Sequence, residues 1–160
     1  MPRMKWSDLS HMQLGRYAEY YAKMEFTSYG FDVYTSEVDD HGVDFVAKDK
    51  QGRFLEIQVK AVRQDNYLYI TKDKIVIDEK FLICYLRFTD DRLPDVYVFP
   101  STVWATPNAL FVDRPYDKPG QKSKPEYGIS YNTKNAHLLE PYRAENYFNC
   151  EAGKMMNEDK

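Results

Sequence analysis

Residues 43–60 read VDFVAKDKQGRFLEIQVK, which predicts two β-strands joined by a very short loop. The loop KQG, residues 50–52, fits a type I turn followed by a left-handed residue, a position that glycine takes without strain. This turn pairs Asp49 with Arg53. Because each strand alternates its side chains between two faces, the pairing also assigns every residue of the hairpin to a face.

One face of the predicted hairpin is apolar and the other carries charged and amide groups. The apolar pairs are Leu55 with Ala47, Ile57 with Phe45, and Val59 with Val43. On the polar face Gln58 is expected opposite Asp44, and directly opposed Cβ atoms lie about 5 Å apart. Glu56 and Lys60 flank Gln58, with Lys60 expected opposite Gly42, where nothing crowds it.

The polar face has two interpretations. It is either a solvated surface with a cross-strand ion pair, or the lining of a functional cleft. Aspartate has a poor strand propensity, so its presence at position 44 favours the cleft. The sheet of an α/β fold is covered by helices, which also argues against a fully solvated face.

The sequence before the hairpin predicts a long helix over residues 11–29, capped by Ser10 and ended by Gly30. Glu19 lies at the edge of its apolar stripe. Two roles are open for this residue: an ion pair with Lys23 four residues along, or membership of the polar cluster.

The other elements follow from alternation, turn residues and caps. Strands are predicted over residues 31–38, 66–71, 80–88, 95–100 and 127–131. A turn is predicted at 39–42, a short helix that Ser101 caps, and a long exposed loop at 113–126. A helix is predicted near 134–140. The stretch 131–143 as a whole is expected to form a capped terminal helix that packs on the sheet. This order predicts an α/β fold with a mixed sheet and a long N-terminal helix.

Composition limits the class of protein. The chain has 160 residues, which suits one domain over 1–150 with a flexible tail over 151–160. Apolar residues make up 43%, which is typical of a globular protein. We expect no membrane span, no signal peptide and a cytoplasmic location, with Cys84 and Cys150 as free thiols. A net charge of −3 gives no support for nucleic-acid binding by the molecule as a whole, but a local basic groove would still permit such binding.

Three stretches in this order resemble the PD-(D/E)XK nuclease superfamily, which includes Holliday-junction resolvases and many restriction enzymes. They are LGRYAEYYA at 14–22, GVDFVAKD at 42–49 and FLEIQVKAV at 54–62. The resemblance implies a restriction-endonuclease-like fold, with a mixed central β-sheet flanked by helices. It also implies a metal-dependent endonuclease that hydrolyses DNA phosphodiester bonds.

The resemblance assigns roles to individual residues. The metal-binding aspartate of the family corresponds to Asp44, its second ligand to Gln58, its lysine to Lys60 and its helical acid to Glu19. The proline before the aspartate is Val43 here, a common departure. The second acid is replaced by Gln58, an uncharged amide.

The implied cofactor is Mg²⁺ (or Mn²⁺), held by Asp44, Gln58 and the backbone carbonyl of Val59. Because an amide brings no charge, we expect one weakly held ion rather than two. Glu56 lies about 7 Å along the same strand face and would reach the ion through water. The metal would activate a water and polarise the phosphate.

The remaining roles concern charge and substrate. Lys60 would orient the attacking water or neutralise charge on the phosphate, and Glu19 would hold metal-bound waters. DNA contacts are predicted at Lys118, Lys122, Lys124 and His41, although a solvated loop and a surface turn are the alternatives. RNA as a substrate and a homodimer stay open, as do two rival functions: an inactive nucleic-acid- or partner-binding module on the same fold, and a structural protein.

Overall fold

The long N-terminal helix, α1 (His11–Ser28), forms as predicted. The Ser10 hydroxyl accepts a hydrogen bond from the Gln13 N–H, and the Gln13 side chain accepts one from the Ser10 N–H. Gly30 follows the helix with a φ of +90°, a conformation that glycine adopts without strain. The structure, a computed structural model, describes residues 1–38 and 41–150.

Five strands form a mixed central sheet, which confirms the predicted fold class. In spatial order they are β1 (Asp32–Thr35), β2 (Phe45–Lys48), β3 (Phe54–Arg63), β5 (Phe81–Phe88) and β6 (Asp95–Pro100). Strands β3 and β5 run parallel, and the other neighbours run antiparallel. The predicted strand over 31–38 is limited to the four residues of β1.

The hairpin of β2 and β3 has the predicted register over Phe45–Lys48. The predicted apolar pair of Val59 with Val43 is wrong, because Val59 packs on the α1 side of the sheet and Val43 on the side of the second sheet. Phe45 pairs with Ile57 and Ala47 pairs with Leu55. The Asp49 N–H donates to the Arg53 carbonyl across the turn, at 2.9 Å. The turn glycine and the hydrophobic alternation therefore suffice to place this hairpin.

The central sheet buries both of its faces. Helix α1 packs on one face, where Ala18, Ala22 and Phe26 contact the apolar side of the hairpin. The other face packs against a second, three-stranded sheet in the order β4 (Leu68–Thr71), β8 (Glu126–Ile129) and β7 (Phe111–Arg114). Buried residues of this second layer include Ile70, Phe111 and Ile129.

The second sheet contains one predicted strand and shortens one predicted loop. The strand predicted at 66–71 forms as β4 of this sheet. The predicted loop over 113–126 is shorter, because its first two residues lie in β7 and Glu126 begins β8. The polar residues at the end of β7 have partners in the fold: Asp113 pairs with Lys72 at 2.7 Å, and Arg114 lies over the ring of Tyr67.

Elements after β6 also differ from the prediction. Ser101 does not cap the 3-10 helix Ser101–Ala105; it lies inside it, and its hydroxyl donates to the Val76 carbonyl and accepts from the Asp78 N–H. The helix predicted near 134–140 is only α2 (Ala136–Leu139) followed by the 3-10 turn Glu140–Tyr142. Pro141 cannot donate a backbone hydrogen bond, which explains why the α-helix stops there.

The capped terminal helix predicted over 131–143 is reduced to these two short elements, without a side-chain cap, although Leu139 and Tyr142 do pack on the core of the sheet. Residues 144–150 are also helical. The predicted tail over 151–160, and residues 39–40 of the predicted turn, lie outside the described residues. Cys84 is buried in β5, and burial raises the pKa of its thiol. Within 1–38 and 41–150, no helix combines the length and apolar character that a membrane crossing requires.

Candidate active site

Asp44 lies at the point where the β2–β3 pairing ends. Strand β2 begins one residue later, at Phe45. The Asp44 N–H donates to the Ile57 carbonyl at 2.9 Å, and its carboxylate Oδ2 accepts from the Val59 N–H at 2.7 Å. The side chain thus takes over an acceptor role that a backbone carbonyl fills elsewhere in the sheet. Asp44 is held beside Gln58 by its bonds to both neighbours of Gln58 in the chain.

Gln58 carries a feature that a purely structural side chain rarely has. The residue is 6% exposed, and its Oε1 is a buried side-chain oxygen without a hydrogen-bond partner in the part of the chain that the structure describes. Leaving such an atom unpaired costs about 1–3 kcal/mol. An amide oxygen is also a hard ligand of the kind that Mg²⁺ accepts.

Gly42 lies close to the side-chain amide of Gln58. Its φ is +75°, and a Cβ placed on it would meet the Lys74 backbone oxygen and lie 3.0 Å from the Gln58 Nε2. Gly42 therefore packs against Gln58 and against the 3-10 helix Lys72–Lys74 that follows β4, while the open space expected around Lys60 stays a prediction. The close approach fixes one side of the Gln58 amide.

Gly42→Ala should destabilise the fold more than Gly120→Ala. Both glycines have positive φ values, so both variants carry backbone strain of about 1 kcal/mol. Only the Cβ at position 42 meets a backbone oxygen, since nothing lies within 4 Å at Gly120. Urea unfolding should show a loss at least about 1 kcal/mol larger for Gly42→Ala. Equal losses would contradict the close packing at Gly42.

Glu19 and Asp44 line one cavity of about 300 Å³, which brings the predicted helical acid to the predicted metal ligand. The cavity is also lined by Arg16, Lys23, Thr35, Ser36, Glu37 and Val43. Glu19 forms its ion pair with Arg16, at 3.6 Å, and not with Lys23. Its side chain is 31% exposed, so it borders the cavity while remaining accessible.

Lys60 and Glu56 lie on the same face of β3 as Gln58. Lys60 is half-buried and pairs in register with Tyr85 of β5. Glu56 is exposed and lines a second cavity of about 460 Å³ with His41. Because the two cavities share Ser36 and Val43, they adjoin each other, and Glu56 borders the space next to the one that holds Asp44.

The predicted DNA-contacting lysines lie in the loop between β7 and β8. Lys118, Lys122 and Lys124 are all exposed. Lys124 pairs at 3.7 Å with Asp73, which lines the cavity of His41 and Glu56. Lys124 therefore lies near the cavity of His41 and Glu56, which adjoins the cavity of Asp44.

The donor set limits the kind of metal that fits. Among the residues described, no three His, Cys, Asp or Glu side chains are grouped to hold an ion. Asp44 and the unpaired Gln58 oxygen supply two hard side-chain donors. Mg²⁺ usually keeps several waters and takes one or two carboxylates, so one carboxylate and one amide oxygen would suit a single, partly hydrated Mg²⁺ and not a closed cage.

Sequence reasoning missed the cations of the cavity. Arg16 and Lys23 lie three residues before and four residues after Glu19, a spacing that places all three on one helix face. That spacing was a usable signal, and it shows that the face of α1 toward Asp44 is mixed in charge.

Comparison of the structure with solved structures identifies the fold. The Holliday junction resolvase Hjc of the archaeon Archaeoglobus fulgidus superposes with a TM-score of 0.54 and 14% identity, over 84% of this chain and 95% of that one. The bacterial homing endonuclease I-Ssp6803I gives 0.55 and 18%, over 94% and 100%. The chain has the fold of the PD-(D/E)XK nucleases. This restriction-endonuclease-like fold confirms the resemblance seen in the sequence. No protein-family profile and no curated protein matches the sequence itself.

Proposed function

We propose that this protein is a Mg²⁺-dependent endonuclease that hydrolyses DNA phosphodiester bonds. The observation that carries the proposal is the buried, unpaired Gln58 Oε1 beside Asp44. Glu19 borders the cavity of Asp44, and Lys60 lies on the strand face of Gln58. Both structural neighbours, a Holliday junction resolvase and a homing endonuclease, are nucleases, and this supports the proposal.

Each residue has a distinct task in this proposal. Asp44, Gln58 and the Val59 carbonyl would hold the ion, which supplies an activated water and polarises the phosphate. Lys60 places a positive charge against the oxygen that gains negative charge during the reaction. Glu19 accepts hydrogen bonds from waters in the cavity and orients them.

The neutral amide of Gln58 has a measurable consequence for metal affinity. Asp44 provides the one negative charge of this donor set, so binding should be weaker than at a two-carboxylate site. Replacing the amide by a carboxylate in the same position should therefore strengthen metal binding. Stabilisation by a bound ligand grows with its concentration relative to Kd.

Thermal unfolding with and without Mn²⁺ or Mg²⁺ tests the site. At a concentration ten times Kd, the wild type should gain about 1.4 kcal/mol, or about 3–5 °C in Tm for a chain of this size. Gln58→Glu should show a larger shift at the same metal concentration. Gln121→Glu adds the same charge at an exposed loop position and serves as the matched control. No shift at millimolar metal for either the wild type or Gln58→Glu would refute the metal site.

The rival function is an inactive nucleic-acid-binding module on the same fold. The neutral Gln58 and the lack of three grouped acids in the described chain favour it. Measuring DNA binding and metal-dependent cleavage together distinguishes the two functions. DNA binding without metal-dependent cleavage supports the module, and cleavage that requires both metal and Asp44 supports the enzyme.

A further inference from the structure

Two cations border the cavity that contains Asp44 and Glu19. Arg16 and Lys23 project from α1 on the same face as Glu19, one turn to either side of it. The Arg16 side chain is 68% exposed, and its 3.6 Å separation from Glu19 is a loose ion pair. Arg16 is therefore accessible to a ligand that enters the cavity.

Because of the charges that line this cavity, its affinity for an anion depends on whether a metal ion is bound. The described lining includes two cations and three carboxylates, those of Glu19, Glu37 and Asp44, for a net charge of −1. A phosphodiester carries one negative charge and is repelled by such a lining. One divalent cation at Asp44 changes the net charge to +1, which attracts the phosphate.

The spacing of the two cations suits a nucleic-acid backbone. Seven residues of α-helix separate Arg16 from Lys23, a rise of about 10.5 Å. Phosphates of one DNA strand advance about 3.4 Å each along the duplex axis, so three steps cover about 10 Å. The two side chains can therefore contact phosphates three steps apart, with two phosphates between them near Glu19.

We propose that Arg16 and Lys23 bind DNA phosphates on opposite sides of the cleaved one, about three steps apart, and that they do so only after a divalent cation occupies the Asp44 site. The inference rests on the proposed function and adds a binding surface and an order of binding. Metal and DNA then bind with positive coupling, and each raises the affinity for the other.

The salt dependence of DNA binding tests this surface. Fluorescence anisotropy of a labelled DNA duplex is measured over a range of salt concentrations, in millimolar Ca²⁺ and in EDTA. Ca²⁺ is an oxygen-binding divalent cation that serves as the probe. In Ca²⁺, the double variant Arg16→Gln, Lys23→Gln should lower the slope of log K against log salt by about 2, or about 1 for each lost phosphate contact. Lys134→Gln removes an exposed charge outside the cavity and should change the slope less.

The arms of the experiment separate the inference from the proposed function. In EDTA the wild type and the double variant should bind DNA with similar slopes. An unchanged slope in Ca²⁺, or an equal loss in Ca²⁺ and EDTA, would overturn the metal-dependent phosphate surface while leaving the nuclease proposal intact. A wild type that binds no DNA in either condition would overturn the proposed function itself. Unchanged melting temperatures in the variants would confirm that the readout is binding and not folding.

Discussion

Asp44→Asn should leave the chain folded but abolish both its stabilisation by metal and its cleavage of DNA. The amide oxygen of asparagine can still accept the hydrogen bond from the Val59 N–H, which holds the Asp44 side chain at 2.7 Å. The variant loses the one formal charge among the proposed side-chain ligands. Metal-assisted stabilisation of phosphate charge is worth several kcal/mol, so cleavage should fall by about 10³-fold or more.

The matched control for this variant is Asp117→Asn, which removes the same charge in the exposed loop between β7 and β8. That variant should keep the metal-dependent shift in Tm and the cleavage rate of the wild type. Circular dichroism shows whether Asp44→Asn keeps its secondary structure. A folded Asp44→Asn protein with wild-type cleavage would show that Asp44 is not a metal ligand.

Lys60→Met should lower the cleavage rate by about 10²–10³-fold while preserving the metal-dependent shift in Tm. Methionine keeps much of the length and apolar stem of lysine but removes the ammonium group. The residue is half-buried on β3, so loss of its charge should affect the reaction more than the fold. Initial cleavage rates and thermal shifts, measured on the same preparations, separate the two effects.

Lys48→Met is the control for Lys60→Met, because Lys48 is also half-buried and lies on the neighbouring strand β2, where its Nζ lies over the Phe54 ring. We expect this control to cleave DNA at the wild-type rate. Equal rates for the Lys60 and Lys48 variants would reject the role given to Lys60.

The sequence was sufficient where short-range chemistry determines structure. The KQG turn and the alternation of Leu55 and Ile57 determine the hairpin register, and Ser10 determines where α1 begins. These signals act within a few residues, so no knowledge of distant contacts is needed. The site follows from the same hairpin, because its register brings Asp44 beside Gln58.

Long-range packing set the limits of prediction. The contact of Gly42 with Lys74 joins two loops, and no local pattern reports it. Ser101 has the composition of a helix cap, but its hydroxyl bonds instead to the segment of Val76 and Asp78. The polar end of β7 resembles a loop in sequence because a stabilising partner, Lys72, is remote in the chain, in the 3-10 helix that follows β4.

Which residues line the same cavity was only partly predictable, because long-range packing decides it. Glu56 lies two residues from Gln58 in sequence, yet it borders a different cavity from Asp44. Arg16 comes from α1, which is remote in sequence from the hairpin, and it shares the cavity of Asp44. Proximity along one strand is therefore a weaker guide to a site than the packing of helix against sheet.

Cleavage of DNA by purified wild type and Asp44→Asn, each with Mg²⁺ and with EDTA, tests whether this protein is a metal-dependent nuclease. The substrates are a duplex and a four-way junction, since nucleases with this fold include a Holliday junction resolvase. If Asp44 holds the catalytic metal ion, the wild type should cleave DNA only in Mg²⁺ and Asp44→Asn should cleave in neither condition. Equal cleavage by both proteins, or no cleavage by a wild type that binds both metal and DNA, would contradict this prediction.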